Sequence, residues 1–174
     1  MGRGEATIRL RPLDLDRDCA TLHEIFGDEE SCRYMSQPAT ASMAETRALL
    51  AKWRCAETEW SVTDAPDGDC LGRIAMVPRE QKTFEAACMI IPSARGRGLA
   101  GRGVALATDI VFEQHRARRV FADIDPDNVA SIRTFERLGF KREGYLRATY
   151  ETHIGVRDTV LMAIIDADPR PWRR

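Results

Sequence analysis

The chain has 174 residues, 44% of them hydrophobic and 30% charged, which is the length and balance of one globular domain that can bury its own core. Its 26 Lys and Arg residues nearly cancel its 27 Asp and Glu residues, so global charge points to no nucleic-acid or membrane partner. No apolar run approaches the ~20 residues that span a bilayer, and no signal peptide precedes the first strand-like segment, so a cytoplasmic location is expected.

Thr7 to Arg11 alternates polar and apolar residues as a half-buried strand does, and Pro12 closes it. Leu22, Ile25 and Phe26 give Asp16 to Phe26 a helical spacing that stops at Gly27. Asp28 to Thr40 has no period and contains Pro38, so it reads as a loop. Ser42 and Glu45 have the spacing of a capping box, opening a helix to about Glu57. Trp60 to Thr63 reads as a strand and Pro66 to Asp69 as a turn. Leu71 to Val77 and Phe84 to Ile91 continue a meander, the second apolar enough to be covered on both faces.

Beyond Pro92 lies a segment dense in glycine and arginine, Arg95 to Gly103, leading into an amphipathic helix with Val104, Ala107, Val111 and Phe112 on one side. Arg119 to Ile124 reads as a strand, and Asn128 to Leu138 as a helix stopped by Gly139. Strands near Lys141 to Leu146 and Asp158 to Ile165 follow, then a mobile tail from Pro169 to Arg174. The expectation is a single domain over residues 1–174 with its core at about 6–166, an α/β domain with a mixed sheet.

The five cysteines, Cys19, Cys32, Cys55, Cys70 and Cys88, are odd in number and form no C-x-x-C pair, which argues against a disulfide framework and a zinc site. His23, His115 and His153 are scattered, so no metal is expected.

A strand followed by a Gly/Arg loop and a helix start is suited to an anion, since helix N-terminal N–H groups are unpaired and the dipole favours negative charge. Glycine also lets backbone approach a phosphate closely. Gly96-x-Gly98-x-x-Gly101 satisfies the dinucleotide-binding pattern, with Asp123 and Asp125 at about the right distance. The context does not, because Pro92 to Arg95 separate the strand from the first glycine and too little chain follows for a doubly wound fold. No P-loop motif is present.

Arg95, Gly98 and Ala100 meet the pattern R/Q-x-x-G-x-G/A. In register with it stand Asn128-Val129-Ala130-Ser131 and Phe135-Glu136-Arg137-Leu138-Gly139-Phe140. These motifs resemble the acetyl-CoA signature and the following strand–helix block of the GNAT superfamily. Ile8 to Pro12, Glu143 to Arg147 and Arg157 to Leu161 resemble its RimJ/RimL-like branch. The resemblance spans roughly Thr7 to Ile165. It implies a GNAT fold of about seven strands, with a splayed central pair, and about four helices.

The resemblance implies acetyl transfer from acetyl-CoA (coenzyme A) to a primary amine in a ternary complex. Pantetheine would pair with backbone at Met89, Ile90 and Ile91, where an N–H would serve the oxyanion. The pyrophosphate would lie on Arg95, Gly96, Arg97, Gly98, Leu99 and Ala100, with Arg102 drawing the phosphates and Asn128 reaching pantetheine from the far side. Many members carry a tyrosine acid at the position of Phe135, which donates no proton, and Ser131 stands where the RimL-like branch uses a serine. Ser131 is the candidate acid, although a residue there also suits helix-end backbone bonding. Glu151, reached by a one-residue slip, is the first candidate base, with Glu85 and Asp123 behind it; each also suits a solvated carboxylate.

The branch resemblance implies a protein or peptide N-terminal α-amine as acceptor. A small-molecule amine, such as an aminoglycoside, polyamine or amino acid, is the alternative. Asp28, Glu29, Glu30, Glu57 and Glu59 are acidic candidates for such a pocket, and Tyr34, Met35 and Trp53 candidates for its border. A non-catalytic acyl-CoA sensor is the rival from another class. A homodimer is compatible with the sequence, which does not fix the oligomeric state.

Overall fold

The computed structural model describes residues 8–173. Thr7 of the first expected strand and Arg174 of the expected tail lie outside the described residues. The chain opens with β1 (Arg9–Pro12) and α1 (Leu15–Phe26). The Asp14 carboxylate caps α1, accepting from the N–H groups of Asp16 at 2.9 Å and Arg17 at 3.4 Å, which satisfies donors that a helix start leaves open. Leu15, Leu22, Ile25 and Phe26 form its buried stripe, each side chain contributing ~1.5–3 kcal/mol on burial.

The expected loop from Asp28 to Thr40 contains one helical turn, α2 (Glu29–Cys32), because Asp28 accepts the Ser31 N–H at 2.8 Å. Ser42 caps α3 (Met43–Lys52) by accepting the Glu45 N–H at 3.2 Å. The Glu45 carboxylate reaches the Ala41 N–H, at 2.9 Å, rather than that of Ser42. α3 ends at Lys52, short of the expected Glu57, and a separate 3₁₀ turn occupies Ala56–Thr58.

β2 (Glu59–Thr63), β3 (Gly72–Arg79) and β4 (Thr83–Ile90) form an antiparallel meander. Then come α4 (Leu99–Glu113), β5 (Arg119–Ile124), α5 (Val129–Arg137), β6 (Lys141–Thr152) and β7 (Gly155–Ile165). All seven strands join one mixed sheet in the order β1-β2-β3-β4-β5-β7-β6. The expected α/β architecture is therefore the observed one, with α2 as a fifth, short helix.

α4 lies close against the sheet because Gly103 has no side chain. A Cβ there would sit 2.9 Å from Ile74 Cγ1 and 3.1 Å from Ile74 Cδ1, contacts that demand displacement. α1 is tied to the sheet by polar contacts: buried Asp18 accepts from Ser61 Oγ at 2.6 Å and from Arg11 at 2.7 and 3.1 Å.

The expected mobile tail is docked as far as Arg173. Asp109 on α4 accepts from Arg170 at 3.0 Å, Trp172 Nε1 at 3.0 Å and Arg173 at 2.9 Å. Pro171 packs on Gly139, and the partly buried Trp172 joins the core. Several charge-assisted bonds on one carboxylate outweigh the tendency of a terminus to fray.

Candidate active site

β4 and β5 are the parallel pair, and they pair over only three positions: Thr83 with Arg119, Phe84 with Val120 and Glu85 with Phe121. From Ala86 to Ile90, β4 stays paired with β3 alone. The two strands thus diverge into a slot whose apex lies at Glu85 and Phe121. The Ile91 N–H donates to the Leu71 C=O at 3.0 Å. Strand alternation then sends the N–H and C=O of Met89 towards β3, and those of Cys88 and Ile90 into the slot. Of Met89, Ile90 and Ile91, the structure therefore presents the N–H of Ile90 to a ligand between the strands, its C=O being taken by Arg95 Nε at 3.1 Å. Burial alternates along β4 only as far as Ala87, and Ala87, Cys88 and Met89 are all half-buried. The expected cover on both faces is incomplete there because the strand borders the slot. Burial among apolar atoms pushes the Cys88 thiol up to about 11, so it stays a thiol and packs.

At the open end of the slot the chain turns into α4. Gly96 and Gly98 both have positive φ, 75° and 71°, and a Cβ on either would meet nothing within 4 Å. Gly98 is the N-cap residue of α4, and no side chain caps this helix. The result is an open cradle of backbone N–H groups at a helix N-terminus, the arrangement that binds a pyrophosphate. Leu99 is buried and Ala100 packs against the core, so each offers only backbone to the cradle. The arginines divide. Arg97 pairs with Asp64 at 3.3 Å, and Arg102 donates to the Arg97 C=O at 3.0 Å. Arg95 turns back to the Ile90 C=O and Ser31.

Asn128 caps α5, its Oδ1 accepting the Ser131 N–H at 3.2 Å, which leaves its amide NH₂ as donor. Ser131 lies in the first turn of α5, and no hydrogen bond engages its hydroxyl among the described residues. Phe135 is buried in the core, its ring edge-on to Phe140 with centroids 4.9 Å apart. It is a packing residue.

On the face of the sheet shared by Glu85 and Asp123 lies a cavity of about 190 Å³, lined also by Tyr34, Ser36, Tyr150, Thr152, the acids Asp125 and Asp158, and the cation Arg157. Glu85 is held by Arg79 Nε at 3.0 Å. The Tyr150 hydroxyl donates to Asp123 Oδ2 at 2.5 Å. Burial, and then the Asp123 carboxylate, push the Tyr150 phenol above its ordinary range, so it remains a neutral donor. Beside it Arg157 grips Asp125 through two bonds of 2.7 and 2.8 Å, which holds the Asp125 carboxyl below the usual carboxylate range. A larger open hollow of about 510 Å³ lies at the β1 edge. Of its four arginines, Arg11 and Arg47 are committed to Asp18 and Asp16, and Arg17 and Arg54 donate to backbone carbonyls.

The structure brings Glu85 and Asp123 together and leaves Glu151 out. Tyr150 and Thr152 line the cavity, so the residue between them on the strand projects to the opposite face. The one-residue slip needed to align Glu151 is what strand alternation forbids. Tyr150 was not singled out from sequence, since the strand reading ended at Leu146. Of the border candidates, Tyr34 lines the cavity; Met35 does not, its C=O meeting His153 Nδ1 at 3.1 Å, and Trp53 packs on Phe26. Among the acidic candidates, Glu59 is buried against Arg73 at 2.5 Å and Asp28 caps α2. Among the described residues, no group of His, Cys, Asp and Glu is arranged to hold a metal ion.

A family model described as Acetyltransferase (GNAT) domain matches residues 7–141. The chain belongs to the GNAT acetyltransferase family. This GNAT chain is an acetyl-CoA-dependent N-acetyltransferase, and its slot and glycine cradle fit that cofactor. It is similar to spermidine N(1)-acetyltransferase of Escherichia coli (strain K12), 25% identical over 160 residues, covering 91% of this chain and 86% of that protein. Among solved structures it is similar to a probable GNAT-family acetyltransferase from Chromobacterium violaceum, with TM-score 0.83, 27% identity, and 99% and 87% of the two chains covered. The fold is also that of spermidine N-acetyltransferase from Vibrio cholerae, solved in complex with CoA and spermine, with TM-score 0.78, 21% identity, and 92% and 96% covered. The similarities support the GNAT superfamily without singling out the RimJ/RimL-like branch.

Proposed function

We propose that this acetyltransferase acts on a small primary amine that carries a second positive charge. The observation that carries the reading is the cavity at the slot apex, where Glu85 and Asp123 face a space of about 190 Å³. The similarity to spermidine acetyltransferases supports the same acceptor class.

When bound, acetyl-CoA supplies the acetyl thioester. The backbone cradle of Gly96 to Ala100 would hold its pyrophosphate, and the Asn128 amide its pantetheine arm. The Ile90 N–H, directed into the slot, is suited to an oxyanion. An alkyl ammonium near pKa ~10.4 exceeds a carboxylate near ~4 by about six units. Glu85 and Asp123 therefore act chiefly as charge anchors, orienting an amine that reacts in its neutral form. Ser131, in the first turn of α5 with a hydroxyl that makes no hydrogen bond among the described residues, is the candidate donor to the departing thiolate.

The RimJ/RimL-like motifs at Glu143 to Arg147 and Arg157 to Leu161 favour a second reading, a peptide N-terminal α-amine. Mass spectrometry of products from a panel of diamines, polyamines, monoamines, amino acids, aminoglycosides and short peptides separates them. The proposal expects a one-acetyl gain chiefly on the di- and polyamines. A gain on peptides alone would establish the second reading.

A further inference from the structure

Arg95, which opens the acetyl-CoA signature, is turned away from the cradle. Its Nε donates to the Ile90 C=O at 3.1 Å and its Nη2 to Ser31 Oγ at 2.5 Å. The Ser31 hydroxyl has one proton, which it gives to Asp28 Oδ2 at 2.5 Å, and the same oxygen accepts the Ser31 N–H at 2.8 Å. Donors therefore run in one direction, from Arg95 to Ser31 to Asp28. The two bonds from Ser31 hold the Asp28 carboxyl below the usual carboxylate range, so the far end of the chain stays charged.

Ser31 stands three residues before Tyr34, on the segment that supplies Tyr34 and Ser36 to the acceptor cavity. Tyr34 lines that cavity, and its hydroxyl donates to the Asp127 C=O at 3.3 Å. α2 is a single turn, too short to fix its own position by propensity. Its attachment to the end of the slot strand runs through Arg95.

We propose that Arg95 is a positioning residue for the acceptor amine: it latches α2 and the Tyr34 wall to the pantetheine strand through Ser31. The proposal rests on the reading that the acceptor occupies the Glu85–Asp123 cavity. In this arrangement the cofactor is bound by the backbone of the cradle, and the side chain of the signature arginine serves the other substrate.

The test uses the full chain with a diamine and acetyl-CoA. Amine KM is measured at saturating acetyl-CoA, and acetyl-CoA Kd by calorimetry, for Ser31→Ala, Ser31→Thr, Arg95→Gln and Asp123→Asn, with thermal unfolding as the fold check. Loss of one charge-assisted bond in the latch is expected to raise amine KM on the order of tenfold in Ser31→Ala and Arg95→Gln. Acetyl-CoA Kd should stay within about twofold, and Ser31→Thr, which keeps the hydroxyl, should retain the wild-type KM. Weakened acetyl-CoA binding with unchanged amine KM would make Arg95 a cofactor ligand and overturn the latch. If Asp123→Asn raises amine KM and Ser31→Ala does not, the latch fails alone. If Asp123→Asn leaves amine KM unchanged, the cavity reading fails and the latch with it.

Discussion

The Tyr150 hydroxyl donates a 2.5 Å hydrogen bond to Asp123 Oδ2, joining β6 to β5 although β7 lies between them in the sheet. The long hairpin of β6 and β7 thus closes one side of the acceptor cavity. Tyr150 is the neutral partner of this pair and Asp123 the charged one, which makes separate predictions for the two.

Asp123→Asn removes a negative charge from the cavity while keeping its shape. Amine KM for a dication should rise about tenfold or more, since a bond to a charged group contributes ~1.5–3 kcal/mol. Tyr150→Phe keeps the charge and loses only the orienting bond, so the rise should be smaller. Steady-state kinetics on both variants checks the order, and equal effects would contradict it.

Gly101 and Gly103 both sit in the first turns of α4, and they should respond oppositely to alanine. At Gly101 a Cβ would make an ordinary 3.5 Å contact with Thr134, so Gly101→Ala should stabilise by up to ~1 kcal/mol through helix propensity. At Gly103 a Cβ meets Ile74 at 2.9 Å, so Gly103→Ala should destabilise by about 1–3 kcal/mol through overpacking. Denaturant unfolding measures both.

Burial pushes the Asp18 carboxyl upward, but bonds from Arg11, Ser61 and the Asp14 N–H outweigh it, and the net shift is downward. A carboxylate depressed in the folded state stabilises at pH above its unfolded value near ~3.9 and loses that contribution as pH falls through the folded value. Stability should therefore decline below about pH 4, and Asp18→Asn should decline less steeply there while being less stable at neutral pH. Chemical denaturation at a series of pH values follows this directly.

Truncation after Asp168 removes the three groups that bind Asp109. It should lower stability by about 1–3 kcal/mol, with Trp172→Ala giving part of the loss. No change in the unfolding midpoint would mean that the docked tail adds nothing.

What was legible in the sequence was local. The glycine segment and the helix start at Asn128 announce themselves by spacing, whereas the GNAT fold and the role of the Asn128–Ser131 block come from the resemblance that these motifs carry. Tyr150 was hidden because Ala148, at φ 51°, marks a register shift between Leu146 and Tyr150, and the strand resumes only beyond it. The run Arg147-Ala148-Thr149 looks like a strand end when it is a bulge. Only the pleat decides that Glu151, between Tyr150 and Thr152, faces away from the cavity. Docking of the tail depends on Asp109, some sixty positions away in sequence, and no local pattern encodes such a partner. The backward turn of Arg95 is hidden for the same reason, since Ser31 is distant in sequence.

The measurement that tests the central claim most directly is kcat/KM for a linear diamine against its monoamine of equal length, with acetyl-CoA saturating, in the wild-type chain and in Asp123→Asn. A cavity that reads a second positive charge predicts a preference for the diamine of about tenfold or more in the wild type, largely lost in the variant. Equal rates for the two amines, or acetylation of peptide N-termini alone, would contradict it.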